Sequence, residues 1–93
     1  MNILQEIGEP ACLEQLAEEC TELAHAALKL SRILRAENPT PETEALARAK
    51  VFEEMADVIV CKGVLEHDGD QEAISKICAF KTRRWEQRLE ARG

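Results

Sequence analysis

Basic residues are in short supply in this 93-residue chain: 12 lysines and arginines stand against 18 aspartates and glutamates, a formal charge of −6. A nucleic-acid surface needs a basic stripe, so nucleic acid polymers are excluded as partners. An acidic chain still takes phosphates where a metal ion reverses the local sign. Cysteine pairing motifs are also missing: Cys12, Cys20, Cys61 and Cys78 form no CxxC. Three of the four fall at apolar helix positions, where cysteine behaves as a small hydrophobe. Reduced structural thiols are the reading, with a zinc site as the alternative against which the absent Cys/His spacing weighs. No basic-then-apolar stretch opens the chain, and no apolar run approaches the ~18 residues of a membrane span. The expectation is a cytoplasmic protein with no membrane partner. Strand-period segments, domain-sized repeats and low-complexity tracts are absent as well.

What is present is helical. Ninety-three residues suit one domain over the whole chain, 1–93. Residues 2–9 suit a short helical turn ended by Gly8, and Pro10 suits the first turn of the next helix. From about residue 11 to 36, Leu13, Leu16, Cys20, Leu23, Ala27, Leu30 and Leu34 recur at alternating steps of three and four, a heptad seam on a helix ~39 Å long. Pro39 and Pro41 stop it. Thr40, Pro41 and Glu42 then read as N-cap, first residue and acidic first turn of a second helix, about 41–66. Its seam is Val51, Met55, Val58 and Leu65, widened by Phe52 and Ile59. The run Val58–Cys61 is apolar all round and calls for cover on more than one side. Asp68-Gly69-Asp70 is a turn with Asp70 as N-cap, opening a third helix, about 71–91, with the stripe Ile74, Ile77, Cys78, Trp85 and Leu89. The fold class expected is all-α: an up-down bundle of three main helices with a short N-terminal helix, completed by dimerisation because a chain this small buries little by itself.

Two echoing stretches stand out on these helices, Glu18-Glu19-Cys20-Thr21-Glu22 and Glu53-Glu54-Met55-Ala56-Asp57. Residues three apart are neighbours on a helix, so Glu19 with Glu22 and Glu54 with Asp57 each form a carboxylate pair. At 100° per residue Glu19 lies roughly 70°, and Glu22 roughly 130°, from the centre of the first seam. Glu54 and Asp57 stand in nearly the same relation to the second. The pairs therefore flank the helix–helix contact, where they can converge. One such pair is ordinary on a glutamate-rich solvated face; two, each preceded by another glutamate, point to a hard divalent cation, since gathered carboxylates otherwise repel. Glu22-x-x-His25 is the unit of carboxylate-bridged di-iron bundles, but the second helix offers Glu54-x-x-Asp57 where a second such unit is required. That option fails on ligand count.

Lys81 falls inside the apolar stripe of the third helix, four residues from both Ile77 and Trp85. A lysine there snorkels or meets an anion. With Arg84 or Arg88 it would reach the phosphates of a metal-held ligand, and Lys29 on the first helix is a second phosphate candidate. Trp85 is read as a core residue or as a stacking platform for a base.

Taken together, Glu19-x-x-Glu22 and Glu54-x-x-Asp57, within Leu16-Ala17-Glu18-Glu19-Cys20-Thr21-Glu22-Leu23 and Glu53-Glu54-Met55-Ala56-Asp57-Val58, resemble the ExxE…ExxD signature of the MazG-like all-α nucleoside triphosphate pyrophosphohydrolases. The likeness runs from about residue 11 to 89 and is closest to the short stand-alone bacterial and phage type. It implies an enzyme that hydrolyses a nucleoside triphosphate, such as a dNTP or a non-standard NTP, to the monophosphate and pyrophosphate by metal-activated water. It implies Mg²⁺, with Mn²⁺ as a substitute, held by Glu19, Glu22, Glu54 and Asp57. Glu18 and Glu53 would support the ligands from behind or help to position water, and Lys81, Arg84 and Trp85, with Lys29 from the residue reading above, would contact the nucleotide. A homodimer or homotetramer is implied too. The competing class is a non-catalytic helical interaction module; it explains the seams but not the matched acid pairs.

Overall fold

The structure, a computed structural model, describes residues 1–36, 39 and 41–93. Its elements are four α-helices: α1 Ile3–Ile7, α2 Glu9–Arg35, α3 Glu44–Leu65 and α4 Asp70–Ala91, with no strand among the described residues. The chain is all-α with three main helices, as its periodicity requires. No helix of the described residues is long and apolar enough to cross a membrane.

Local chemistry sets the boundaries. The Asn2 side chain accepts a hydrogen bond from Gln5 N at 3.0 Å and caps α1. Gly8, at φ +89°, turns the chain from α1 into α2, and Pro10 sits in the first turn of α2, where an N–H has no partner to lose. The second long helix starts later than its prolines suggest. Thr43 is the cap, its hydroxyl accepting from Leu46 N at 3.2 Å, and Glu44 supplies the first-turn acid. The expected Thr40 cap lies outside the described residues. The third long helix also differs by one position. Gly69, in the left-handed region at φ +89°, occupies the cap, and Asp70 is the first helical residue. The Asp70 carboxylate instead accepts backward from His67 N at 2.8 Å, closing the turn.

Helices α2 and α3 form an antiparallel hairpin. Ala26 and Leu30 of α2 meet Ala47 and Val51 of α3 in the buried core, with Leu23 and Ile33 packed beside them. The buried stripe of α2 is rotated from the one its leucines predict. The column Leu16, Leu23, Leu30 is shared by both. Its companion column is Cys12, Glu19, Ala26 and Ile33, while Leu13, Cys20, Ala27 and Leu34 are exposed. On α3 the shift repeats: Val51, Val58 and Leu65 are joined by Ala47, Glu54 and Cys61, and Met55 and Phe52 face outward. Small residues in the companion columns let the two backbones approach. The carboxylates of Glu19 and Glu54 thus stand inside the contact, not beside it.

Helix α4 leaves this hairpin. It packs along neither α2 nor α3 and buries no residue; its tie is at its first turn, where Lys62 Nζ donates to Gln71 Oε1 at 2.6 Å, and Ile74 lines an open cavity with Leu16 and Leu65. The radius of gyration is 16.9 Å, against about 12 Å for a compact domain of this length. Ile77, Phe80, Trp85 and Leu89 on α4, and Phe52, Met55, Ile59 and Val60 on α3, lie exposed. One copy of the chain leaves two apolar faces without cover.

Candidate metal centre

The rotation of the two stripes builds the site. Because Glu19 and Glu54 occupy matching positions of the antiparallel contact, their carboxylates meet across it, and Asp57, one turn along α3, joins them. Oxygens of Glu19, Glu54 and Asp57 all lie within 4.8 Å of one another. Glu54 is 4% exposed, the one charged residue buried among the described residues. Gln15, one turn before Glu19, donates from Nε2 to Glu19 Oε1 at 2.7 Å and orients that carboxylate.

A buried carboxylate beside two others is costly without cations. Lys50 supplies one. Its ammonium lies 2.9 Å from Glu54 Oε1 and 3.6 Å from Glu53 Oε2. The hydrogen bond to Glu54, followed by the charge of Glu53, raises the Lys50 pKa above its usual 10.5. Three carboxylates against one ammonium leave the cluster negative, and half of the Lys50 side chain faces solvent. Ligand oxygens around one Mg²⁺ stand about 3–4 Å apart, as follows from metal–oxygen bonds near 2.1 Å. The set is all-oxygen, converging and short of positive charge, so it fits a hard divalent ion. The cluster contains neither cysteine nor histidine and does not fit zinc.

Glu22, the fourth member of the expected quartet, stands outside the 4.8 Å group. It is exposed and lines an adjacent cavity of about 220 Å³ with His25, Lys29, Glu42 and Lys50, over the buried Ala26 and Ala47. Lys50 belongs to both places, bonded to the cluster and lining the cavity. Lys29 is brought in as well, its ammonium 2.6 Å from Glu42 Oε2. His25 is with Glu22 on the cavity and is not in the group of three converging carboxylates. Glu53 is exposed beside Lys50, and Glu18 is exposed next to Glu19.

Lys81, Arg84 and Trp85 are not brought to the carboxylates within one chain, since α4 stands away from the hairpin. All three are exposed, Trp85 by 68%, and the Arg84 guanidinium lies 5.9 Å from the Phe80 ring centre. Lys50 was missed by motif reasoning. Its signal was available in the spacing Lys50-x-x-x-Glu54, which puts the ammonium one turn before the carboxylate.

Behind the cluster, burial raises the Cys61 thiol above its ordinary 9.0, with further push from the charges of Glu19 and Asp57. It stays protonated and inert near neutral pH. All four cysteines are unpaired. No protein-family model, curated protein or solved structure matches the chain.

Proposed function

We propose that the chain is a Mg²⁺-dependent nucleoside triphosphate pyrophosphohydrolase of the MazG-like type, releasing the monophosphate and pyrophosphate. The observation that carries this reading is the convergence of Glu19, Glu54 and Asp57 inside a helix–helix contact, where folding alone favours apolar residues. Surface acids cost nothing; a trio with Glu54 buried and its two partners half-buried persists where something compensates it.

Glu19, Glu54 and Asp57, with Glu22 at the edge, would hold the ion, which would supply neutralisation of triphosphate charge and a more nucleophilic water. The chain's own groups do the rest. Lys29 and Lys50 line the cavity beside the trio and suit phosphate oxygens. Gln15 fixes Glu19, and burial fixes Glu54, so the carboxylates are set before substrate arrives. Glu53, exposed beside Lys50, is the candidate to hold the attacking water, with Glu18 on the facing helix as the second. Water adds to the α-phosphorus as the bond to the pyrophosphate oxygen breaks. In a homo-oligomer, α4 of another copy offers Lys81, Arg84 and Trp85 to the nucleotide and covers apolar surface that one copy leaves exposed. Reduced thiols and a nucleotide substrate suit the cytoplasm.

The test is a panel of ordinary and modified triphosphates, with pyrophosphate release measured with and without Mg²⁺. At least one substrate should turn over in wild type, and Glu54→Gln should lose that turnover at unchanged helical circular dichroism. Near-wild-type turnover in Glu54→Gln would remove the trio from the reaction.

A further inference from the structure

The cation already present at the trio is Lys50, and its position raises a question of occupancy. Its ammonium is bonded to Glu54 Oε1 at 2.9 Å, and Glu54 is itself one of the three carboxylates gathered within 4.8 Å. A divalent ion seated among those oxygens would lie next to the ammonium, and like charges at that separation repel. The two cations therefore compete for Glu54. The side chain has somewhere else to go. It is half exposed and already lines the neighbouring cavity, where Lys29, paired to Glu42, presents a second ammonium and His25 an imidazole beside the carboxylates of Glu22 and Glu42. No neighbouring helix clamps it: its partners are Glu53 and Glu54 of its own helix, one turn away.

We infer that Lys50 is a built-in counter-ion that holds the trio together before metal binds and then swings into the cavity to receive an anionic phosphate. This rests on the metal reading above and adds to it an order of events and a coupling. Metal alone binds against the cost of expelling Lys50. Metal with a phosphate ligand binds more tightly, because the freed ammonium regains an anionic partner. Lys50 is a positioning residue for the carboxylates and a binding residue for the phosphates. The arrangement also explains how a 4%-exposed glutamate survives in the fold without metal.

The experiment measures Mn²⁺ binding by calorimetry, with and without inorganic pyrophosphate, for wild type, Lys50→Gln and Lys50→Arg. Loss of one competing, half-exposed charge should tighten binding of Mn²⁺ alone by roughly three- to fivefold in Lys50→Gln. The enhancement of Mn²⁺ affinity by pyrophosphate, present in wild type, should shrink in Lys50→Gln and persist in Lys50→Arg. In wild type, Mg²⁺ should also shift the side-chain methylene resonances of Lys50 in NMR spectra, a readout that needs no variant. Unchanged or weaker Mn²⁺ binding in Lys50→Gln, or Lys50 resonances that ignore Mg²⁺, overturns the counter-ion role while leaving the metal site standing. Absence of any Mn²⁺ binding in wild type overturns the metal reading and this inference with it.

Discussion

Replacing Glu54 by glutamine separates the metal reading from a purely structural one through stability alone. At an effective dielectric of about 20, two unit charges 4.8 Å apart, the outer limit for this trio, repel by about 3.5 kcal/mol. Glu54 faces Glu19 and Asp57, so at that limit its charge carries about 7 kcal/mol of repulsion at that dielectric, and more at any shorter separation, opposed by Lys50 from a half-exposed position. An amide of the same size removes both repulsions and can donate to the two remaining carboxylates. Glu54→Gln should therefore melt at or above the wild-type temperature without metal; a net relief of only ~1 kcal/mol raises Tm by ~4–8 °C in a domain of this size. With Mg²⁺ the order should reverse. At a hundredfold excess over Kd a ligand adds about 2.7 kcal/mol, or roughly 10 °C or more for wild type, and nothing for the variant. Differential scanning fluorimetry at fixed protein concentration reads both numbers. A metal-free variant that melts several degrees below wild type, or one that keeps the Mg²⁺ shift, would refute the reasoning.

Three further outcomes test the packing. Alkylation followed by mass spectrometry should label the exposed Cys20 and Cys78 first, Cys61 later and the buried Cys12 last; early labelling of Cys12 would mean that the α2–α3 contact is open. Because the Cys61 pKa is raised on folding, chiefly by burial, the folded chain holds that proton more tightly than the unfolded one. The stability this contributes is present below 9.0 and lost as pH rises through the folded value, so the urea midpoint should fall less steeply from pH about 8 to about 10 in Cys61→Ala than in wild type. Gly63 lies inside α3 with no atom within 4 Å of where a Cβ would stand. Gly63→Ala should raise stability by roughly 0.5–1 kcal/mol in chemical denaturation; a loss would show another surface, such as a second copy, packed against that glycine.

Much of this architecture was legible before any coordinates. The three long helices announce themselves through periodicity, and Pro39, Pro41 and the Asp68–Gly69 turn mark where they must break, because these signals act within a few residues of themselves. The carboxylate echo was equally plain, and three of its four members converge. The phase of the seams was not legible. Leu13, Cys20, Ala27 and Leu34 make the more apolar companion to Leu16, Leu23 and Leu30, and a reading of one helix in isolation selects them. The structure turns Cys12, Glu19, Ala26 and Ile33 toward the contact in their place, Cys12 and Ala26 buried and Glu19 and Ile33 half-buried.

That choice belongs to the pair of helices. Cys12 and Ala26 on α2 and Ala47 and Cys61 on α3 are small, and setting them face to face lets the backbones approach more closely than two rows of leucine would. The same rotation carries Glu19 and Glu54 into the contact and turns two acidic pairs into a trio with Lys50 as its counter-ion. The path of α4 was likewise beyond the sequence, because an amphipathic stripe records that a face wants cover without recording whose surface provides it. Sequence alone determined which segments are helical and which acids recur on them. Only the tertiary structure decided which acids meet, since side-chain volume on two helices at once sets their rotation.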